Sequence, residues 1–168
     1  MKICIIGHSG SGKSTLARIL SKHYNIPVLH MDTLQFMPGW VETDRRTFNH
    51  QMKSFLETNE SWVIDGNYRK IAKERFDLAD RIIYLDYNRW VCLWNAFKRY
   101  RKFKGKTRID MANGCKEKMD LEFIKWILYK GRTKEKRAFY HSLVTHSKDG
   151  LIFKNRRSLN KYLKNNNY

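Results

Sequence analysis

Apolar runs and stretches of helical period take turns along this chain, and that alternation sets the expected fold before any single residue does. Lys2 to Ile6 is a short apolar run with β-branched residues, the pattern of a strand buried on both faces. Leu16, Leu20 and Tyr24 then recur at helical spacing within Lys13 to Tyr24. Ile26 to Met31 predicts a second strand ending at Asp32, and Met37-Pro38-Gly39-Trp40 a turn. Phe48, Met52, Phe55 and Leu56 mark one face of a helix capped by Thr43. Trp62-Val63-Ile64 and Ile82 to Leu85 are the third and fourth strands. Trp90, Trp94 and Phe97 follow at i, i+4 and i+7, read as the core stripe of the next helix. Leu121, Ile124 and Leu128 predict a helix after Asp120, and a polar helix runs from Arg132 to about His146. Leu151-Ile152-Phe153 is the fifth strand, and Ser158 caps a last helix that turns Leu159, Tyr162 and Leu163 inward. Only the Asn165-Asn166-Asn167 tail reads as frayed. Strands alternating with helices imply an α/β fold with a parallel sheet covered on both faces.

Composition narrows the picture. The 168 residues suit one domain spanning 1–168, with room for a covering segment but hardly for a second core. An apolar share of 42% excludes general disorder. The formal net charge of +18 favours anionic ligands, whether nucleotides, sugar phosphates, nucleic acid or a membrane surface, without choosing among them. The densest cationic stretch is Lys98 to Arg108, where seven of eleven residues are Lys or Arg and none is acidic. Cys4, Cys92 and Cys115 are odd in number and widely spaced, which suggests neither a disulfide framework nor a zinc site and fits a reducing, cytoplasmic setting. The apolar run before Gly7 is too short for a signal peptide, and no segment approaches the ~20 apolar residues that span a bilayer, so no membrane partner is expected.

The candidate chemistry sits at the first strand-to-helix junction. Gly7-His8-Ser9-Gly10-Ser11-Gly12-Lys13-Ser14 is a complete G-x-x-x-x-G-K-[ST] phosphate loop placed between a strand and a helix N-terminus, where it has to lie. Free backbone N–H groups and the positive helix end attract an anion there, and the glycines let the main chain wrap phosphate oxygens. Lys13 is expected to reach the β- and γ-phosphates of ATP, and Ser14 to take one position on Mg²⁺.

Further candidates lie at strand ends. Asp65, closing the third strand, is the expected second holder of Mg²⁺, its bland alternative being the start of an Asp-Gly turn. Asp32 ends the second strand and suits deprotonation of an acceptor hydroxyl, its alternative being a cap. His30 reads as a packed histidine. Trp40 and Tyr68 are candidates for stacking on a substrate ring. Arg99, Arg101 and Arg108, with Arg132 and Arg137 beyond, are placed to neutralise charge on a transferred phosphoryl group.

The chain resembles the bacterial DNA topology modulation proteins, which are similar to adenylate kinase within the phosphate-loop kinases. The resemblance runs nearly end to end. It is carried by Gly7 to Thr15, His30-Met31-Asp32, Pro38 to Thr43, Trp62 to Tyr68, Arg75, Ala79-Asp80, Leu85-Asp86, Arg89-Trp90, Gly105 to Ala112, Gly114-Cys115, Glu117-Lys118 and Asp120 to Phe123. It implies a three-layer kinase fold with a five-stranded parallel sheet in the order 2-3-1-4-5, a mobile basic lid near residues 99–119, and ATP with Mg²⁺ as donor. Nucleotide contacts from Ser9, Ser11 and Thr15 are implied with the rest of the loop. Gly66, Asn67, Tyr68 and Arg75 are implied on the acceptor side, although Asn67-Tyr68 replaces the Phe-Pro usual in adenylate kinases. The expected function is an ATP-dependent phosphotransferase on a nucleoside, nucleotide or related small acceptor. The alternatives are a basic nucleic-acid-binding ATPase or regulator, and a polynucleotide 5′-kinase.

Overall fold

The computed structural model describes residues 1–69 and 72–168. In chain order its elements begin with β1 (Lys2–Gly7), α1 (Lys13–Tyr24), β2 (Val28–His30), a one-turn α2 (Asp32–Gln35), β3 (Phe36–Met37), β4 (Val41–Glu42), α3 (Arg45–Thr58) and β5 (Trp62–Asp65). They continue with α4 (Glu74–Leu78), β6 (Arg81–Leu85), α5 (Arg89–Phe103), α6 (Leu121–Leu128), α7 (Lys134–Thr145), β7 (Gly150–Phe153) and α8 (Arg156–Asn165). The main sheet is parallel and five-stranded, in the order β2-β5-β1-β6-β7. Setting aside the small β3–β4 hairpin, this is the 2-3-1-4-5 order expected.

The period of two in the central strand builds two cores. Ile3 and Ile5 face one side, where Val63, Ile83 and Leu85 meet Leu16 and Leu20 of α1, Cys92 and Ala96 of α5, and Leu159 of α8. Cys4 and Ile6 face the other, where Ile64 and Tyr84 meet Phe48 and Met52 of α3 and Tyr140 and Val144 of α7. Both faces of β1 are apolar because helices cover both. The parallel register aligns Ile5 with Asp65, His30 with Asp65, and Gly7 with Leu85, so the loop and the residues ending β2, β5 and β6 share one edge of the sheet.

Several local expectations change. Asp44, not Thr43, caps α3 by accepting from the Thr47 N–H at 2.9 Å. Asn155, not Ser158, caps α8. Both real caps lie before the first helical residue and present an oxygen to the third residue on. The second strand is shorter than expected, and the Pro38–Trp40 turn is the tip of the β3–β4 hairpin. The C-terminus is tied down: α8 continues through Asn165, and the Tyr168 hydroxyl meets that of Tyr24 at 2.6 Å and accepts from Arg81 at 2.9 Å. The aromatic stripe of α5 is reversed, with Trp90, Trp94 and Phe97 exposed while Cys92 and Ala96 face inward. The phosphate loop lies against the inward side of this helix, its Gly10 packed on the Cys92 backbone.

Candidate active site

A Cβ on Gly10 would stand 2.1 Å from the Cys92 carbonyl oxygen, and Gly10 has φ +82°, so this position admits glycine alone. Asn95 of α5 donates to the Gly10 carbonyl at 3.1 Å. At the loop's other end, Asn67 accepts from the Gly7 N–H at 2.9 Å and donates to the Gly7 carbonyl at 2.6 Å. The Ser11 N–H closes a turn on the His8 carbonyl. Gly12, the cap of α1, offers no side-chain bond, so the N–H groups of the first turn remain available to an external anion. Lys13 Nζ donates to the His8 carbonyl at 3.2 Å, inside the curl of the loop. Burial holds Lys13 below the usual ammonium range, against the opposing pull of Asp65 and Asp32. Ser9 is half-buried and Thr15 exposed, both on the loop or the helix turn that follows it.

Ser14 and Asp65, the expected Mg²⁺ holders, are together: Ser14 Oγ donates to Asp65 Oδ2 at 2.9 Å. The other oxygen of Asp65 is engaged by His30 Nδ1, so the packed histidine expected at position 30 also orients this carboxylate. The sequence reading missed Asp110. Burial pushes its carboxyl up, but the Arg108 guanidinium beside it holds it below the usual range. Among the described residues no three His, Cys, Asp or Glu side chains form a metal cluster. Mg²⁺ takes few protein ligands and fills its octahedron with phosphate oxygens and water, so one hydroxyl and one carboxylate fit it.

On the acceptor side, Asp32 is half-buried and accepts from the Tyr68 hydroxyl at 2.5 Å. Burial, with Asp32 next, pushes the Tyr68 phenol far up, which fixes it as the donor. Tyr68 is thus a hydrogen-bond partner of Asp32, its ring 5.5 Å from that of Phe48, rather than an open stacking platform. Asn67 braces Gly7 through both atoms of its amide. Gly66 is required by close approach, since a Cβ would stand 2.7 Å from Met31. Arg75 is buried, with its guanidinium over the Phe76 ring and donating to the carbonyls of Ala72 and Tyr68, which assigns it to holding the chain after β5. Trp40 also departs from expectation. Its Nε1 donates to the Lys116 carbonyl at 2.9 Å, and its ring packs beside a small cluster of Met111, Ala112 and Cys115.

The cationic run acquires the counter-charge its own sequence lacks. Glu117, buried, accepts from Arg99 at 2.8 Å and from Arg108 at 2.6 Å, and Arg108 also donates to Asp110 at 2.8 Å. Residues 104–119 therefore fold back on the end of α5, through bridges Lys104–Glu117 and Thr107–Lys116, and lie against the β3–β4 hairpin. Arg101 is exposed and outside this network. Arg132 turns to the Ile127 and Tyr87 carbonyls.

One feature of the edge was legible only as a strand end. Asp86, just past β6, is contacted by His8 at 3.1 Å, Tyr84 at 3.1 Å, Arg137 at 2.8 Å and His141 at 3.2 Å. Burial pushes its carboxyl up, but hydrogen bonds from His8, Arg137 and His141 win and hold it far below the usual range. Burial lowers His8, which favours the neutral ring donating through Nε2.

Comparison with known proteins agrees with this architecture. The family described as ATPase family associated with various cellular activities (AAA) matches residues 3–85, from β1 through β6. Shikimate kinase from Bacteroides thetaiotaomicron superposes over 100% of this chain and 99% of its own, with a TM-score of 0.54 at 17% identity. Deoxyadenosine kinase from M. mycoides, solved with products dCMP and a flexible dCDP bound, superposes over 99% and 98%, with a TM-score of 0.52 at 14% identity. No curated protein matches the chain in sequence. At these identities the likeness is one of fold, the fold of phosphate-loop kinases.

Proposed function

We propose that this chain transfers the γ-phosphoryl group of ATP to a hydroxyl of a small acceptor, a nucleoside, nucleotide or related compound. The observation that carries the reading is a division of labour between two strand-end carboxylates beside one loop. Asp65 is committed to Ser14 and His30, whereas Asp32, among the described residues, accepts from the neutral donor Tyr68 on the acceptor side.

In this reading the N–H groups of residues 7–14 and the Lys13 ammonium hold the phosphates. A small cleft lined by Ser11, Gly12, Thr15, Tyr87, Arg156 and Asn160 borders the loop on this side. Ser14 and Asp65 would hold Mg²⁺, which when bound would supply positive charge against the phosphates. Asp32 takes the proton from the acceptor hydroxyl as its oxygen attacks, and Tyr68 keeps the carboxylate oriented for that transfer. Arg99 and Arg108 exchange part of their pairing with Glu117 for phosphate, and residues 99–119 act as the lid that brings them there.

The motifs around His30-Met31-Asp32 and Pro38 to Thr43 support placing the chain near the topology modulation proteins. The reading as a polyanion-binding ATPase draws on the cationic run, and the pairing of Arg99 and Arg108 with Glu117 and Asp110 weakens it. The test is a screen of purified protein with ATP and Mg²⁺ against nucleosides, nucleotides, sugars and short oligonucleotides. Transfer to a small hydroxyl acceptor is expected. Turnover dependent on oligonucleotide alone would overturn the proposal.

A further inference from the structure

Helix α5 has two faces of opposite character. Its inner face, Cys92, Asn95, Ala96 and Arg99, lies against the phosphate loop and the α6 region. Its outer face exposes Trp90 (61%), Val91 (45%), Trp94 (57%) and Phe97 (40%) over two successive turns. A contiguous apolar face of this kind on a soluble fold marks a place where something else binds.

Charge identifies the occupant. Helix α5 contains no acidic residue, and its exposed ionic groups are Lys98, Arg101 and Lys102, with Arg89 at the start held over the Tyr129 ring. A second copy would set these cations against their own kind in a chain of net charge +18, so the partner surface is anionic. Ring geometry then favours lipid over bases. Trp94 is stacked on Phe97, their planes 23° apart and centroids 6.0 Å apart, and the Lys98 ammonium lies 5.2 Å from the Trp94 ring. Rings paired with each other, beside an aliphatic Val91, make a wedge rather than a set of open platforms for unstacked nucleobases. Aromatic and aliphatic side chains bordered by Lys and Arg match the boundary between headgroups and acyl chains of an anionic bilayer. Among the described residues no helix is long and apolar enough to cross a membrane, so the contact is one of lying on the surface.

We propose that the outer face of α5 binds the surface of an anionic membrane, with Trp90, Val91, Trp94 and Phe97 entering the interface and Lys98, Arg101 and Lys102 meeting lipid phosphates. This is independent of the catalytic proposal. The test uses the full chain and vesicles of phosphatidylglycerol and phosphatidylcholine in equal parts, read by co-sedimentation and by quenching of tryptophan fluorescence with brominated lipid. Binding is expected to be at least about tenfold tighter than to phosphatidylcholine alone and to weaken with salt. The double variant Trp90→Ser/Trp94→Ser should lose at least about tenfold in affinity with an unchanged circular dichroism spectrum. Should that variant misfold, Phe97→Ser serves in its place, and quenching in the unaltered chain stands alone as a readout. The proposal is overturned if the unaltered chain shows no quenching, or if the variants bind as tightly as the parent. It is equally overturned if a single-stranded oligonucleotide binds the patch in preference to vesicles, or if the patch mediates self-association.

Discussion

Asp65 and Asp86 end the two strands that flank β1, one on each side of the phosphate loop, yet their surroundings give them different work. Asp65, among the described residues, touches one hydroxyl, Ser14, and one imidazole, His30, and the proposed function gives it the holding of Mg²⁺. Asp86 is saturated by His8, Tyr84, Arg137 and His141, and through His8 it fastens the loop to α7. A carboxylate at the carboxyl end of a strand is therefore not a site by position alone. What distinguishes the two is how much of their hydrogen-bonding capacity the fold has already used.

The comparison breaks most visibly on the Asp65 side. Lys13→Ala and Asp65→Asn should each lower ATP-dependent turnover by about 10³-fold or more; Lys13→Ala should change stability by about 1 kcal/mol or less, whereas Asp65→Asn, which leaves the Ser14 and buried His30 donors poorly matched, should cost about 1–3 kcal/mol. Steady-state rates with urea melts on the same preparations check this, and undiminished turnover in Lys13→Ala would refute the site assignment. Asp32 sharpens the comparison as a third strand-end carboxylate. Asp32→Asn should cost about 10²-fold in transfer to a hydroxyl acceptor with ATP affinity nearly unchanged, as for a lost base. Equal transfer rates would make Asp32 a cap.

Asp86→Asn should differ from Asp65→Asn in activity rather than in stability, losing about 2 kcal/mol because buried donors are left poorly matched, with turnover nearly native where the chain remains folded. Acid melts test the same point. The folded state holds Asp86 below its ordinary 3.8, so its contribution is complete above that value and is lost as pH falls through the folded value beneath it. The folded state also holds His8 below 6.5, so the unfolded chain takes up the proton first and stability declines as pH falls through 6.5. Both act in one direction, and Asp86→Asn should flatten the lower part of that decline. The smallest effect is expected at residues 104–119, whose amides should exchange several-fold more slowly with a non-hydrolysable ATP analogue and Mg²⁺, and more so than those of the sheet. Protection by an oligonucleotide alone would assign the segment to polyanion binding.

The loop and the sheet were legible because their information is local. Eight contiguous residues specify the loop, and the continuous apolar runs of β1, β5 and β6 specify burial on both faces. The site's braces are not local: Asn67 meets Gly7 across sixty positions, and Asp86 meets His8 across seventy-eight. Glu117 neutralises Arg99 from eighteen residues away, so the charge run looked bare. The aromatic residues of α5 were misplaced for a different reason. Helical period states which residues share a face, not which face turns inward, and it is Cys92 and Ala96 that join the core while the Cys92 backbone packs on Gly10.

Trp40 carries a consequence for the seam between the hairpin and residues 104–119. It follows Gly39 with φ +66°, a left-handed backbone that costs a bulky residue roughly 1–2 kcal/mol. The compensation comes from across the seam, in the Lys116 carbonyl and the ring's packing near Met111, Ala112 and Cys115. If that segment lifts away, as the proposed lid requires, the turn loses the contacts that offset its backbone strain, so opening and relaxation of the Gly39-Trp40 turn would be coupled.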